Sequence, residues 1–375
     1  MSGLRPSHHV GQVALVVNPV SRRAREAVAA VERACSEVGG PGPLVLSTTV
    51  RDPGPGQVRE ALARGARRIV VAGGDGTVRL VAGALATAAA GANDLPAATA
   101  PAEEAAPADE TAARHATAPA EEAAPADETA ARHATAPDDA AGPPPAPVVL
   151  GVVPVGTANL FARSALLGTR DLRQAARTAV SASGRPTDLG RATLADAAGG
   201  SSSHPFLVVA GLGHDAATLA AVTPALKERL RWLAYFLPGV RRLRHAGHAL
   251  DLTIDGAPVD AGPLWTLLAV NAARLPAGAR VVPGARLDDG VLHTVLVAPS
   301  GPLDWAHIAA TGLGRVGDGR GGRYPPDRPA LRYRDARTVV VTSRDPVLAQ
   351  VDGDVIPDIV GAELTLLPAA LRVAR

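Results

Sequence analysis

The sequence predicts an α/β domain with a doubly wound parallel sheet, followed by a mainly-β domain. Three observations carry this. From Val13 to Val180, short apolar runs alternate with segments of helical period, the pattern of a parallel sheet covered by helices. Two of the runs break into glycine-threonine turns, Gly73-Gly74-Asp75-Gly76-Thr77 and Gly156-Thr157. Beyond Pro186 the segments become short strands with Asp-Gly turn signals and few helices.

Taken in order, Val13–Val17 is a first strand ending in Asn18-Pro19. Arg23 to Val38 follows as a helix, with Ala27, Val31, Ala34 and Val38 on one face and Gly39-Gly40 as its stop. Leu44–Leu46 is a second strand that leads into Thr48 and Thr49, and Gln57 to Arg64 is a short helix closed by Gly65. Ile69–Ala72 reads as a buried parallel strand, and Val78, Val81, Ala82 and Leu85 give the period of the helix after it. Val148–Val153 is a further strand, Pro154–Arg163 a turn and helix start, and Asp171 to Val180 a helix. Ligands of such sheets sit at the carboxyl ends of the strands, where Asn18, Thr48 and residues 73–77 all lie.

Pro186 is read as the boundary between a first domain, 10–186, and a second, 187–368. Strands are expected at Leu189–Leu194, Phe206–Leu212, Ala249–Ile254, Leu264–Asn271, Leu292–Ala298, Thr338–Thr342, Val347–Val351 and Leu364–Leu367. Asp255-Gly256 and Asp352-Gly353 are hairpin signals. The helices are Asp215 to Phe236 and Leu303 to Thr311, and 312–329 is a loop of Gly, Arg and Pro. A β-sandwich or barrel is the expectation.

Residues 98–115 recur unchanged as 116–133. The unit has no Leu, Ile, Val or aromatic residue, so it cannot build a core, and 93–147 is read as a disordered insertion. Such an insertion costs little, because closure entropy grows only with the logarithm of loop length. Residues 98–139 hold ten acids and two arginines, a net −8, which leaves +10 on the rest of a chain whose total is +2. A basic body suits anionic partners, although 37 of the 38 basic residues being Arg is equally a mark of genomic base composition. The lone Cys35 excludes an internal disulfide and fits a reducing compartment. No apolar run reaches the length of a membrane span or a signal peptide. A cytoplasmic protein is expected.

A strand that turns through glycines into a helix aims backbone N–H groups and the positive helix end at one point, which suits phosphate. Asp75 is the anomaly there: a carboxylate beside polyphosphate is repulsive unless a divalent cation or a proton transfer involves it. Its plain alternative is a helix N-cap. A second such loop at Gly156-Thr157 would let a polyphosphate lie between the two, with Thr77 and Thr157 supplying hydroxyls. The chain has no G-x-x-x-x-G-K-[ST], no G-x-G-x-x-G after a strand, no CxxC and no HExxH, which sets aside a Walker loop, a dinucleotide fingerprint and zinc. His8, His9, His204, His245 and His248 are read as incidental.

These motifs together resemble the diacylglycerol kinase catalytic-domain family, in particular its soluble bacterial lipid kinases, with sphingosine kinases as relatives and NAD kinases as distant ones. The likeness rests on Asn18-Pro19, Gly73–Thr77, Pro154–Asn159 with Phe161-Ala-Arg163, Asp188-Leu-Gly190, Gly211–Ala216, Pro283–Leu292 and Val351–Asp354. It implies a first domain like those of NAD kinase and phosphofructokinase, a second domain that is a β-sandwich, and a chain end, 369–375, returning to the first domain. It further implies ATP and Mg2+ as cofactors. Gly73, Gly74, Gly76 and Thr77 would hold phosphates, helped by Gly156 and Thr157. Asn18 and Thr48, or Thr49 in its place, would line the nucleotide pocket. Asp75 would position the metal, with Asp188 as a second carboxylate, and Arg163 and Arg79 would add charge near the phosphates. Asp289, with the carbonyls of Arg286 and Val291, would match a structural magnesium site.

The resemblance also implies a general base on a hairpin of the second domain, usually the Glu of Asp-Gly-Glu. Here that position is Asp354, one methylene shorter. The implied activity is phosphorylation of a lipid hydroxyl such as that of diacylglycerol, in lipid metabolism and phospholipid biosynthesis. The alternatives are a soluble acceptor, including NAD, and a nucleotide-binding regulator without catalysis. The implied partner is a lipid at a membrane surface, met through the basic and aromatic stretch Lys227 to Arg244, whose plain alternative is a packed helix. No nucleic-acid partner is expected, and a homodimer is left open.

Overall fold

The computed structural model describes residues 12–91, 147–220, 245–272, 274, 280–312 and 324–375. The expected insertion, the helix beyond Ala220, the stretch Lys227 to Arg244 and most of the 312–329 loop therefore lie outside the described residues. The first part runs β1 (Val13–Val17), α1 (Ala24–Glu37), β2 (Leu44–Ser47), α2 (Pro55–Ala63), β3 (Arg68–Gly73), α3 (Asp75–Ala89), β4 (Val149–Pro154), α4 (Leu160–Ser164) and α5 (Leu172–Ser181). Its four strands pair in parallel in the order β2-β1-β3-β4. Alternate side chains serve opposite faces, as strand geometry requires. Ala14, Val16, Ile69, Val71, Leu150 and Val152 pack with Val58, Val78, Val81 and Leu85 of α2 and α3. Val13, Leu15, Val17, Val70, Ala72 and Val153 pack with the alanine-rich faces of α1 and α5. That second layer is close: a Cβ on Gly151 would lie 2.6 Å from the carbonyl oxygen of Ala179.

The β-rich part comprises β5 (Gly184–Asp196), β6 (Ser201–Phe206), β7 (Val209–Gly213), α6 (His214–Ala220), β8 (Leu250–Ile254), β9 (Ala257–Val259), β10 (Thr266–Val270), β11 (Leu292–Val297), α7 (Pro302–Gly312), β12 (Leu331–Ala336), β13 (Thr338–Val351) and β14 (Asp354–Ala374). Its own core is aliphatic, with Leu212, Leu252, Leu264, Leu267, Leu296, Val339 and Leu364 among its members and Phe206 as its aromatic centre. The hydrogen-bonded order β12-β11-β10-β7-β13-β14-β4-β3-β1-β2 makes one continuous sheet of both parts. β14 is the seam. It pairs antiparallel with β13 and β5, and its Arg372 and Val373 pair in parallel with Val149 and Leu150 of β4.

Several expectations need correction. Pro186 lies inside β5, opposite Arg372, so the sequence-read boundary falls within the first strand of the β-rich part, and all described residues belong to one compact unit. A proline is tolerated in that strand because it pairs near the end of a ladder already bulged between Leu367 and Leu371. The run Phe206–Leu212 divides at Leu207-Val208 between β6 and β7. Thr338–Thr342 and Val347–Val351 are one bulged strand. β6, β9 and β12 are additional strands. Among the described residues no helix is long and apolar enough to cross a membrane.

Candidate active site

The two glycine loops meet. Gly73 pairs with Pro154 across β3 and β4, and the Val155 N–H donates to the Gly73 carbonyl at 3.2 Å. Parallel neighbours leave their sheet side by side, so both turns open at the same carboxyl edge. A Cβ on Gly156 would lie 2.6 Å from the Gly74 Cα, and one on Gly73 would lie 2.8 Å from the Thr77 Cβ. Only glycine lets these backbones approach. Gly74 is the N-cap of α3, in extended conformation and without a side-chain cap, so the first N–H groups of that helix have no side-chain acceptor supplied by the cap.

Asn159 closes the second loop. It sits at φ 50°, and its Oδ1 accepts the Gly156 N–H at 3.0 Å while its Nδ2 donates to the Gly156 carbonyl at 2.8 Å. It belongs to a quoted motif yet received no role from the sequence; Asn is the residue type that tolerates this conformation and hydrogen-bonds locally. The Arg163 Nε donates to the Ala158 carbonyl at 2.9 Å, bracing the loop.

Asp75 is not the N-cap of its own helix; it is the first residue of α3. Its Oδ1 accepts the Phe161 N–H at 3.1 Å, so it caps α4 from across the gap. Burial pushes its carboxyl above the ordinary range, while the N–H groups of Phe161, Leu160 and Asn159 and the charge of Arg163 pull the other way. Asn18 donates its N–H to Ala72 and Thr48 donates its N–H to Val17, which places both at the same carboxyl edge. The Asn18 Oδ1 accepts the Val20 N–H, and Thr48 is buried.

On the β-rich side, Asp352 (φ 49°) and Gly353 (φ 96°) form a two-residue turn that pairs Val351 with Asp354. Asp352 is a clamp: its Oδ2 accepts the Leu207 N–H at 2.7 Å, and its Oδ1 accepts those of Val208 and Val209 at 2.9 Å. Burial pushes its carboxyl up to about 6 against those bonds and the Arg79 charge. The Gln350 Oε1 accepts the Gly353 N–H at 3.0 Å, and its Nε2 donates to Asp215 at 3.2 Å. Asp215 also meets the Thr266 hydroxyl at 2.5 Å, and burial raises its pKa. Asp354 itself pairs with Arg79 of α3, a helix that starts in the first glycine loop. Arg79, expected to add charge near a polyphosphate, is thus paired with a carboxylate.

The expected metal ligands are arranged differently. Asp188 is 3% exposed, and its oxygens accept the N–H groups of Gly290 at 2.8 Å and Ala369 at 2.7 Å. It ties the 287–290 turn to the bulge of β14. Asp289 accepts the N–H groups of Arg286 at 3.1 Å and Val291 at 3.2 Å and meets the His293 Nε2 at 3.1 Å. The His293 ring and these N–H groups outweigh burial and hold the Asp289 carboxyl below its usual value. Among the described residues no group of three or more His, Cys, Asp or Glu side chains could hold a metal ion. One carboxylate beside the glycine loops still fits Mg2+, which keeps waters and substrate oxygens as most of its ligands. Asp75 is that carboxylate.

A doubly wound sheet with two apposed glycine loops is thus joined to a β-sandwich that presents a carboxylate to the first loop's helix. Residues 12–102 and 129–192 match the diacylglycerol kinase catalytic domain, and residues 207–375 match the YegS C-terminal NAD kinase beta sandwich-like domain. The first part thus matches the diacylglycerol kinase catalytic-domain family and the second the YegS C-terminal family. Over 206 residues it is 25% identical to a diacylglycerol kinase of Bacillus subtilis (strain 168), covering 55% of this chain and 62% of that one. It is 24% identical to a diacylglycerol kinase of Staphylococcus carnosus (strain TM300), covering 55% and 61%. The match thus spans about three fifths of the length of these curated relatives. The solved structure of a proposed diacylglycerol kinase from Bacillus anthracis str. Sterne superposes with TM-score 0.62 at 17% identity, over 97% of this chain and 96% of that chain. At that identity the likeness is one of fold.

Proposed function

We propose that this protein is an ATP- and Mg2+-dependent lipid kinase that phosphorylates the hydroxyl of a lipid such as diacylglycerol. The observation that carries the reading is the contact of Gly74 with Gly156, which brings the two glycine loops to one point at the carboxyl edge of the sheet. Gly73, Gly74, Gly76, Thr77, Gly156 and Thr157 hold the phosphates of ATP. Asn18 and Thr48 line the nucleotide side at the ends of β1 and β2. Asp75 fixes α4 against α3 and offers its carboxylate to Mg2+, which when bound neutralises charge on the phosphates.

Asp354 acts as the general base. It takes the proton of the acceptor hydroxyl as the alcohol oxygen forms its bond to the γ-phosphorus and the bond from that phosphorus to the ADP oxygen breaks. Asp352, Gln350 and Asp215 position the hairpin that carries it.

The test is transfer from ATP labelled at its γ-phosphate into a panel of lipid alcohols presented in mixed micelles. Label in an organic-extractable product is expected with at least one diacylglycerol. Label confined to an aqueous product would assign a soluble acceptor, and ATP binding without any transfer would assign a regulator; either ends the lipid-kinase reading. Asp354→Ala is expected to lower kcat by about 100-fold or more with ATP affinity unchanged. A normal rate in that variant removes the base assignment.

A further inference from the structure

We propose that Arg79 is a positioning residue, holding the Asp354 carboxylate in the orientation that proton transfer requires. The inference rests on Asp354 being the base. Asp354 stands at the exit of a hairpin turn with its side chain 62% exposed. A carboxylate so placed samples several rotamers in water. Here its Oδ2 is held by the Arg79 Nη2. The guanidinium is itself fixed. Its side chain is 6% exposed, and its Nη1 donates to the Pro205 carbonyl at 3.5 Å. One turn further along α3, a Cβ on Gly83 would lie 2.5 Å from the Pro205 ring. The helix thus lies flush on β6, and the stem of Arg79 has little room to move.

Stability alone does not account for this arginine. Its Nε is buried without a hydrogen-bond partner among the described residues. A guanidinium keeps its charge in any surroundings, and burying one with an unmet donor opposes folding. What the arrangement does deliver is a planar cation aimed at one carboxylate. Aspartate needs this more than a longer side chain would. Its single methylene cannot search for the acceptor, so the carboxylate has to be placed. The other ionisable groups facing this point are His204, whose Nε2 meets the Ser202 hydroxyl at 2.9 Å, and Asp352, which is occupied by three N–H groups. Neither is hydrogen-bonded to Asp354 among the described contacts.

The test uses the full chain with ATP and a short-chain diacylglycerol in detergent micelles. Arg79→Met is expected to lower kcat by about 10- to 100-fold, the cost of a reacting group displaced by about 1 Å. The KM for ATP should stay within about twofold, because the residue acts through the base and not through the phosphates. Arg79→Lys, which keeps the charge but lacks the fork, should recover part of the rate. If Arg79→Met does not fold, Arg79→Gln carries the same expectation. Wild-type kcat in Arg79→Met or Arg79→Gln overturns the inference. So does a raised KM for ATP with kcat retained, which would make Arg79 a phosphate contact. Asp354→Asn separates the two levels. Full activity there removes the base reading itself. An inactive Asp354→Asn beside a fully active Arg79→Met removes only the role of Arg79.

Discussion

Asp352→Asn tests the hairpin most directly, because an amide has one acceptor where the carboxylate has two. The Asn Oδ1 could keep the N–H groups of Val208 and Val209, but the amide Nδ2 would then face the Leu207 N–H across the 2.7 Å now spanned by a hydrogen bond. A buried donor left unmet costs about 1–3 kcal/mol. Flipping the amide would strand two donors instead of one. About 2 kcal/mol corresponds to a loss of roughly 4–8 °C in melting temperature for domains of 150–250 residues and somewhat less for this larger unit. The dependence on pH has a definite sign. Burial raises the folded carboxyl from its ordinary 3.8 to about 6. The corresponding stability is therefore fully present below 3.8 and is lost as pH rises through 6. The whole interval is worth about 3 kcal/mol at most, of which about 1 kcal/mol falls between pH 5 and pH 7.5. Asparagine does not titrate, so the melting gap between wild type and Asp352→Asn should be wider at pH 5 than at pH 7.5. Thermal melts followed by circular dichroism at both pH values measure it. An Asn variant as stable as wild type at pH 7.5, or a gap that widens as pH rises, would refute the assignment of Asp352 as a clamp raised by burial.

Two further outcomes follow from the described geometry. Gly156→Ala would drive a methyl group to 2.6 Å from the Gly74 Cα and 2.9 Å from the Asn159 Oδ1, so it should weaken ATP binding by about tenfold or more, the cost of about 1.4 kcal/mol. Titration calorimetry measures this, and unchanged affinity would place the polyphosphate elsewhere. Cys35 is 1% exposed, and burial raises its pKa, with Glu32 adding to the shift. Because the thiolate is the nucleophile, a chromogenic thiol reagent at pH 8 should label the protein only after denaturant is added; prompt labelling of the native protein would contradict the packing of α1 on the sheet.

Much of the first part was legible because its signals are local. Apolar runs ending at Asn18-Pro19, Gly73 and Pro154 determine β1, β3 and β4, and Asp171, read as the start of a helix, is the N-cap of α5, accepting the N–H groups of Arg173 and Gln174. Both Asp-Gly turns were legible for the same reason: positive φ at two successive positions favours these residues. What escaped was non-local. β6 reads Ser-Ser-Ser-His-Pro-Phe, with little to bury before Phe206, and it is a strand because β5 pairs with it. β14 continues through Pro357 and Pro368 and past Ala369 at φ 51°, where local propensity would end a strand. It persists because β5, β13 and β4 supply partners along its length. At Asp188 and Asp289 the sequence shows that a carboxylate is present, not which N–H groups fold back onto it.

The two Asp-Gly turns show where such reading stops. Asp255-Gly256 (φ 50° and 81°) and Asp352-Gly353 (φ 49° and 96°) have nearly the same backbone. In both, the aspartate accepts N–H groups from a neighbouring strand: Asp255 takes those of Arg337 and Thr338 at 2.8 Å, and Asp352 takes three. The clamp is thus a general means of fixing a tight turn in this sheet and carries no chemistry by itself. The difference lies in the next residue and in what it meets. After Gly256 comes Ala257, which opens β9 at the margin of the sheet. After Gly353 comes Asp354, which reaches a buried arginine on α3, two residues and about 3 Å of helix rise beyond Thr77. α3 therefore carries the proposed phosphate loop at its first turn and the anchor of the proposed base in its second. Any shift of that helix would move phosphate and base together, which keeps their spacing fixed although one comes from each part of the chain.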